Sequence, residues 1–164
     1  MCIRDRDTYD LFCYNRSKLD ITNKEELENM IASILPDIII NCAAYTQVDN
    51  AEDIWKHENF NVNTISLGYI AMISYKKNID FITFSSDYVF SWEDKQGYNE
   101  NDIPAPINTY GMGKYLWEQI SKSINPNTII IRTSWLFWWG TNFKNFVNMI
   151  IKKSQNTSPL TIVN

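Results

Sequence analysis

Pro36-Asp37-Ile38-Ile39-Ile40-Asn41-Cys42-Ala43-Ala44-Tyr45-Thr46 runs from a helix-stopping proline through three isoleucines into small and polar residues. An unbroken β-branched run has no period-two alternation, so it predicts a strand buried on both faces, as in a parallel sheet. Upstream, Leu27, Ile31 and Ile34 or Leu35 share one helical face, and Thr22 with Glu25 three residues on forms a capping box that starts that helix. Before it, Tyr9 to Tyr14 is a short apolar run of strand type that breaks at Asn15-Arg16-Ser17. Downstream, Asn50 to about Asn78 is mostly helical and Asp80 to Ser85 is a second buried strand. Residues 91–108, with Gly97, Pro104 and Pro106, form a long loop of the kind that usually carries function. Tyr110 to Ile124 is a helix, Thr128 to Ile131 a strand, Asn142 to Lys153 a helix, and Leu160 to Val163 the start of a strand. This alternation predicts an α/β fold, a doubly wound parallel sheet with helices on both sides.

The chain has 164 residues, 45% of them hydrophobic and 21% charged, enough for one domain with a core. Met1-Cys2-Ile3-Arg4-Asp5-Arg6 fits no periodicity, so residues 1–7 are set aside as an artefactual leader and 8–164 are read as one partial domain. A net charge of −4 argues against a nucleic-acid partner. No apolar run reaches the length of a membrane span, and no signal core opens the chain. Cys2, Cys13 and Cys42 are odd in number and lack metal-ligand spacing, which suits a reducing, cytoplasmic compartment. No metal site is expected: the acids Glu25 to Glu28 complement a helix dipole, and His57, the single histidine, lies in a polar stretch. Only five glycines are present, few for a fold that seats phosphates on glycine-rich turns.

In a doubly wound sheet, ligands bind beyond the carboxyl ends of the strands. Three strand ends carry polar or small residues: Asn41-Cys42-Ala43-Ala44-Tyr45-Thr46, Ser85-Ser86-Asp87-Tyr88 and Arg132-Thr133-Ser134-Trp135. The sharpest constellation is Tyr110-Gly111-Met112-Gly113-Lys114, which sets a phenol and an ammonium on one helical face. A neighbouring ammonium favours the phenolate, so the Tyr110 pKa is expected to fall toward working pH. A tyrosine so tuned can exchange a proton with a carbonyl oxygen, to which Ser86 would donate a hydrogen bond. Such a Tyr/Lys pair also arises by chance on many helices, and only the strand-end serine lifts it above a solvent-facing pair. Ala43-Ala44 alone would be packing, Trp135 alone core, and Asp20 alone a loop acid.

Ser86, Tyr110 and Lys114 resemble the Ser/Thr–Tyr–Lys set of the extended short-chain dehydrogenase/reductase superfamily. Within it, residues 36–49, 85–90, 106–111 and 132–135 are similar, in order, to the dTDP-4-dehydrorhamnose reductase family. The resemblance implies a Rossmann-like domain that binds NADPH or NADH and reduces a dTDP-linked 4-keto-sugar, with a homodimer as one assembly open to the parent protein. It implies Asp20 and Ile21 near the adenosine end of the cofactor, and Ala43, Ala44 and Thr46 along the dinucleotide. Lys114 and Tyr110 would reach the nicotinamide ribose, with Tyr110 as proton donor. Thr46, Val48, Ser86, Tyr88, Tyr110 and Trp135 would contact the sugar nucleotide. Arg16, a cation after the first strand, could pair with a 2′-phosphate.

The family's glycine-rich turn would precede Tyr9 and its C-terminal substrate domain would follow Asn164. The chain therefore reads as an internal piece lacking the first βα unit, inactive by itself, with unpaired strand edges and exposed apolar surface. Ser86 stands where the family more often has Thr, and Ser91-Trp92 and Trp138-Trp139 also depart from its pattern. Two other readings compete. One is a non-catalytic regulatory subunit, like the β subunit of methionine adenosyltransferase. The other is a different nucleotide-sugar reductase or epimerase.

Overall fold

A computed structural model describes residues 8–53, 56–93, 97–136, 147–148 and 150–151. The elements that position the site are α1 (Lys24–Ile34), β1 (Ile38–Asn41), α2 (Lys56–Phe60), α3 (Ser66–Lys77), β2 (Asp80–Ser86), α4 (Thr109–Ile124) and β3 (Ile129–Thr133). The strands form a parallel sheet in the order β1-β2-β3, with Ile40 opposite Ile82 and Phe84 opposite Ile131. All three carboxyl ends thus point to one rim, and that rim carries the polar residues.

Helix α1 begins one residue later than the Thr22–Glu25 pattern predicts. Asn23 is the cap, and its side chain accepts from the Glu26 N–H at 3.2 Å. Thr22 is diverted: its N–H and hydroxyl both donate to Asp20 Oδ1, at 2.9 and 2.7 Å. The two overlapping cap signals compete, and the Asp20 turn decides between them. Leu35 and Asn78, in the left-handed region, end α1 and α3. Between α2 and α3, Asn61–Ile65 forms a π-helical turn, with the Ser66 hydroxyl donating to the Asn61 carbonyl.

The core lies on one side of the sheet. Leu27 and Ile31 of α1, Leu67, Ile70, Ala71 and Ile73 of α3 and Trp117 of α4 close over Phe81. The Phe81 and Trp117 rings sit 5.7 Å apart. Each of the leucine, isoleucine and phenylalanine side chains contributes about 1.5–3 kcal/mol by leaving water. The opposite sheet face differs from expectation. Ile38, Ile40 and Ile129 are each more than half exposed, so β1 is not buried on both sides. The isoleucine run does pair in a parallel sheet, but no described helix covers that face. The outer edge of β1 also pairs with none of the described residues.

Tyr9 to Tyr14 is not a strand. It is exposed and leads into a turn in which Lys18 and Leu19 donate to the Asn15 carbonyl. A strand needs a neighbour to satisfy its backbone, and this stretch has none among the described residues. Residues 1–7 and 160–163 and the pair Trp138-Trp139 lie outside the described residues. So does most of 142–153, of which residues 147–148 and 150–151 are helical. Among the described residues no helix is long and apolar enough to cross a membrane.

Candidate active site

The rim is assembled by buried polar side chains that tie loops to helices. At the end of β1, Asn41 turns the chain: its amide donates to the Ala43 carbonyl at 3.1 Å and to Thr83 Oγ1 at 3.3 Å. Ala43 and Ala44 follow, both exposed. The loop is then pinned by Asn63, which is wholly buried. It accepts from the Tyr45 N–H at 3.0 Å and donates to the Tyr45 carbonyl at 2.8 Å. Asn63 also donates to Asn59 at 2.7 Å, and Asn59 donates to the Thr109 carbonyl at 2.9 Å. One pair of asparagines, a helical turn apart, thereby joins the β1 loop to the start of α4. Thr64 adds a bond to the Gly113 carbonyl at 2.8 Å.

The start of α4 is fixed on its other flank. Asn108 caps it by accepting from the Gly111 N–H at 2.7 Å, and Glu52 accepts from the Thr109 N–H and hydroxyl at 2.5 and 2.7 Å. Gly111 lies against the Tyr88 carbonyl so closely that a Cβ there would fall 2.1 Å from that oxygen. At the end of β2, Ser86 caps the short turn Asp87–Val89, accepting from the Tyr88 N–H at 3.2 Å and donating to Asp87 at 3.0 Å. The other Asp87 oxygen accepts from the Ser134 hydroxyl at 2.7 Å, linking the ends of β2 and β3.

This framework brings the predicted substrate residues together. Thr46, Val48, Ser86, Tyr88, Tyr110 and Trp135 all line one cleft of about 290 Å³. Tyr88 and Tyr110 meet edge to face at 5.5 Å, and the Ser86 hydroxyl is close enough to act on the Tyr110 phenol. Thr46, Val48 and Tyr88 also border an adjoining cleft of about 370 Å³ reaching Gln47, Asp49 and Asn50. Trp135 holds φ at 47°, a costly backbone conformation for a bulky residue and one that tends to persist at ligand sites.

Lys114 is buried against the sheet, its Nζ donating to the Phe84 carbonyl at 3.0 Å. Burial lowers its pKa to about 8, against the upward pull of Glu118. Tyr110 contradicts the expectation of a lowered phenol pKa. Burial raises it, Asp87 and Tyr88 add to the rise, and the Ser86 hydroxyl opposes it. The Lys114 ammonium is turned to a carbonyl, so loss of solvent decides the direction.

Of the predicted cofactor residues, Thr46 and Tyr110 line these clefts, whereas Arg16, Asp20, Ile21, Ala43, Ala44 and Lys114 border neither. Arg16 is ion-paired to Glu58 at 2.9 Å and to Asp20 at 3.4 Å. Asp20 is held below its ordinary value by the two Thr22 hydrogen bonds. Sequence reasoning passed over Asn59 and Asn63. Two asparagines at helical spacing just before an apolar run were the available signal, and burial gives them their meaning.

The sequence matches the RmlD substrate binding domain family over residues 3–164. The chain belongs to that family. The dTDP-4-dehydrorhamnose reductase of Aggregatibacter actinomycetemcomitans is 36% identical over 159 residues, 97% of this chain and 53% of its own length. A probable low-salt glycan biosynthesis reductase of Haloferax volcanii is 37% identical over 73% of this chain and 40% of its own. A Bacillus anthracis dTDP-4-dehydrorhamnose reductase, crystallised in complex with NADP, superposes with a TM-score of 0.84. It is 37% identical over 92% of this chain and 53% of its own. The chain spans about half the length of these curated relatives. The Rossmann-like parallel sheet is shared with these RmlD-family reductases.

Proposed function

We propose that the protein is an NAD(P)H-dependent reductase of a dTDP-linked 4-keto-sugar, reducing dTDP-4-dehydro-L-rhamnose to dTDP-L-rhamnose. The observation that carries this reading is the single cleft in which Thr46, Val48, Ser86, Tyr88, Tyr110 and Trp135 meet.

The residues present fit a dinucleotide. Ala43 and Ala44 lie exposed at the carboxyl end of β1, where methyl groups leave a flat backbone for close approach. Lys114 spends one of its three N–H donors on Phe84 and keeps two for ribose hydroxyls. Bound NAD(P)H supplies the hydride that reduces the keto carbon. Arg16 would meet a 2′-phosphate only by exchanging Glu58 for it, and that exchange sets the preference between NADPH and NADH.

The raised Tyr110 pKa suits a reduction, because the phenol stays protonated at neutral pH and can give its proton to the developing alkoxide. Ser86, by turning its one hydroxyl proton from Asp87, would donate to the same oxygen and hold it in line with the phenol. Trp135 and Tyr88 offer aromatic faces to the sugar nucleotide. Free, exposed Cys13 and Cys42 agree with a reducing cytoplasm.

The test is loss of NADPH absorbance by the complete protein with dTDP-4-dehydro-L-rhamnose, wild type against Tyr110→Phe. A fall in kcat of about 10²–10⁴-fold with sugar-nucleotide binding retained is expected. Full turnover in Tyr110→Phe sinks the reading. Partner binding without turnover in the wild type would favour a regulatory subunit, and turnover of a different nucleotide sugar another member of the superfamily.

A further inference from the structure

One turn beyond Lys114 on α4 lies Glu118, a carboxylate that is 1% exposed. It is held by two charge-assisted hydrogen bonds from Arg132 of β3, Nε to Oε1 at 3.0 Å and Nη2 to Oε2 at 2.6 Å. Arg132 in turn lies over the Phe90 ring, 5.0 Å from its centroid. A buried ion pair is a weak device for stability, since desolvation consumes much of its Coulombic gain. Its place suggests another use. Residues four apart on a helix share one face, so Glu118 lies one turn along α4 from Lys114 and acts on its ammonium through space, with Arg132 bound on Glu118's far side.

We propose that Glu118 and Arg132 act through Lys114: Glu118 holds the proton on the buried ammonium, and Arg132 limits that hold. They are positioning residues for the ribose-binding lysine, so the inference rests on the reductase reading of Lys114. Lys114 has lost most of its hydration, and a single carbonyl oxygen partly replaces it. An unshielded Glu118 would attract the ammonium strongly and draw it off the Phe84 carbonyl. Neutral behind Arg132, the pair leaves a moderate attraction along the helix.

The surroundings leave few other charges to act. β2 brings the hydroxyls of Thr83, Ser85 and Ser86, and the turn after it brings Asp87 and Tyr88, which act on Tyr110. From the segments before α3, Glu52 is taken up by Thr109, Glu58 by Arg16 and His57 by Asn61. Lys76 and Lys77 are exposed at the far end of α3. Glu100 and Tyr115 act on Arg132 itself.

The experiment is an NMR titration of the Lys114 side chain in ¹⁵N,¹³C-lysine-labelled protein, with Lys114→Met to assign the signal. Glu118→Gln leaves Arg132 facing the ammonium and is expected to lower the Lys114 midpoint by about one pH unit. Arg132→Met leaves Glu118 unshielded and is expected to raise it by a similar amount. The double variant lies between the two. A rise in every variant means that water has simply entered, and overturns the proposal, as does no movement in any. If Glu118→Gln fails to fold, Arg132→Met must still titrate above both the wild type and the double variant, or the proposal fails. The titration uses neither cofactor nor sugar, so it can fail while Tyr110→Phe upholds the reductase reading, and the converse.

Discussion

Replacing Gly111 by alanine tests how the clefts are held open. The added Cβ would lie 2.1 Å from the Tyr88 carbonyl oxygen and 2.9 Å from its carbon, where ordinary contact begins near 3.4 Å. The shortfall is about 1.3 Å, and both partners are backbone. Neither side yields easily. The Asp87–Val89 turn is held by Ser86 and Ser134, and the start of α4 by Asn108, Glu52 and Asn59. Overpacking of this kind costs roughly 1–3 kcal/mol, and often more when backbone must move. The higher helix propensity of alanine returns at most about 1 kcal/mol. A net loss of about 2 kcal/mol is expected, read as a lower urea midpoint with an unchanged slope. Gly68→Ala is the control, because its Cβ meets only the Ile120 methyl at an ordinary 3.7 Å. It should be neutral or slightly stabilising. Displacing Tyr88 and Ser86 from Tyr110 by about an ångström should also lower turnover by about 10²-fold in the complete protein. Equal stability of Gly111→Ala and Gly68→Ala would refute the account of the close approach.

Asn63→Ala removes three hydrogen bonds and leaves both polar groups of the Tyr45 backbone without their partner. A loss of about 3 kcal/mol in urea unfolding is expected, and an unchanged midpoint would show that water replaces the amide without cost. The Lys114 pKa of about 8 lies below its ordinary 10.5, so between those values the unfolded chain binds more protons than the folded one. Stability should therefore rise across pH 8 to 10.5, by roughly 3 kcal/mol in total from this group. The rise should vanish in Lys114→Met, and a wild-type slope in that variant would contradict the assignment. Above about pH 10 the raised Tyr110 acts in the opposite sense, since its phenol ionises first in the unfolded chain.

The strand ends were legible because a parallel sheet places its ligand residues directly after each apolar run. Ser86, Tyr88, Thr46 and Trp135 could be picked out on that ground, supported by the resemblance. The parallel pairing of the isoleucine run was legible too, whereas its exposure was not. A sequence shows that Ile38 and Ile40 can be buried, and a neighbouring layer decides whether they are. The start of α1 was ambiguous by one residue, since Thr22–Glu25 and Asn23–Glu26 are equivalent patterns and only the Asp20 turn separates them. The direction of the Tyr110 shift was misjudged for a similar reason. Spacing along α4 places an ammonium near the phenol, but the sheet carbonyl that turns Lys114 aside lies 30 residues away. Asn59 and Asn63 acquire their roles only from partners on other segments.

The π-helical turn Asn61–Ile65 bears on what changes of length this protein can tolerate. Such a turn holds one residue more than the α-helical path between the same points. Deleting one residue there would restore a regular helix from Lys56 to Lys77, a locally favourable outcome. Because the path between the same points is kept, Asn59 should stay against Thr109 and the apolar face of α3 should be undisturbed. A chain shortened at Asn61 or Val62 should thus keep both its core and the tie between the β1 loop and α4. Removing Asn63 or Thr64 also removes the bonds to Tyr45 or to Gly113. Single-residue deletions should accordingly divide into tolerated and rim-breaking ones within one turn, a distinction that substitutions alone would not reveal.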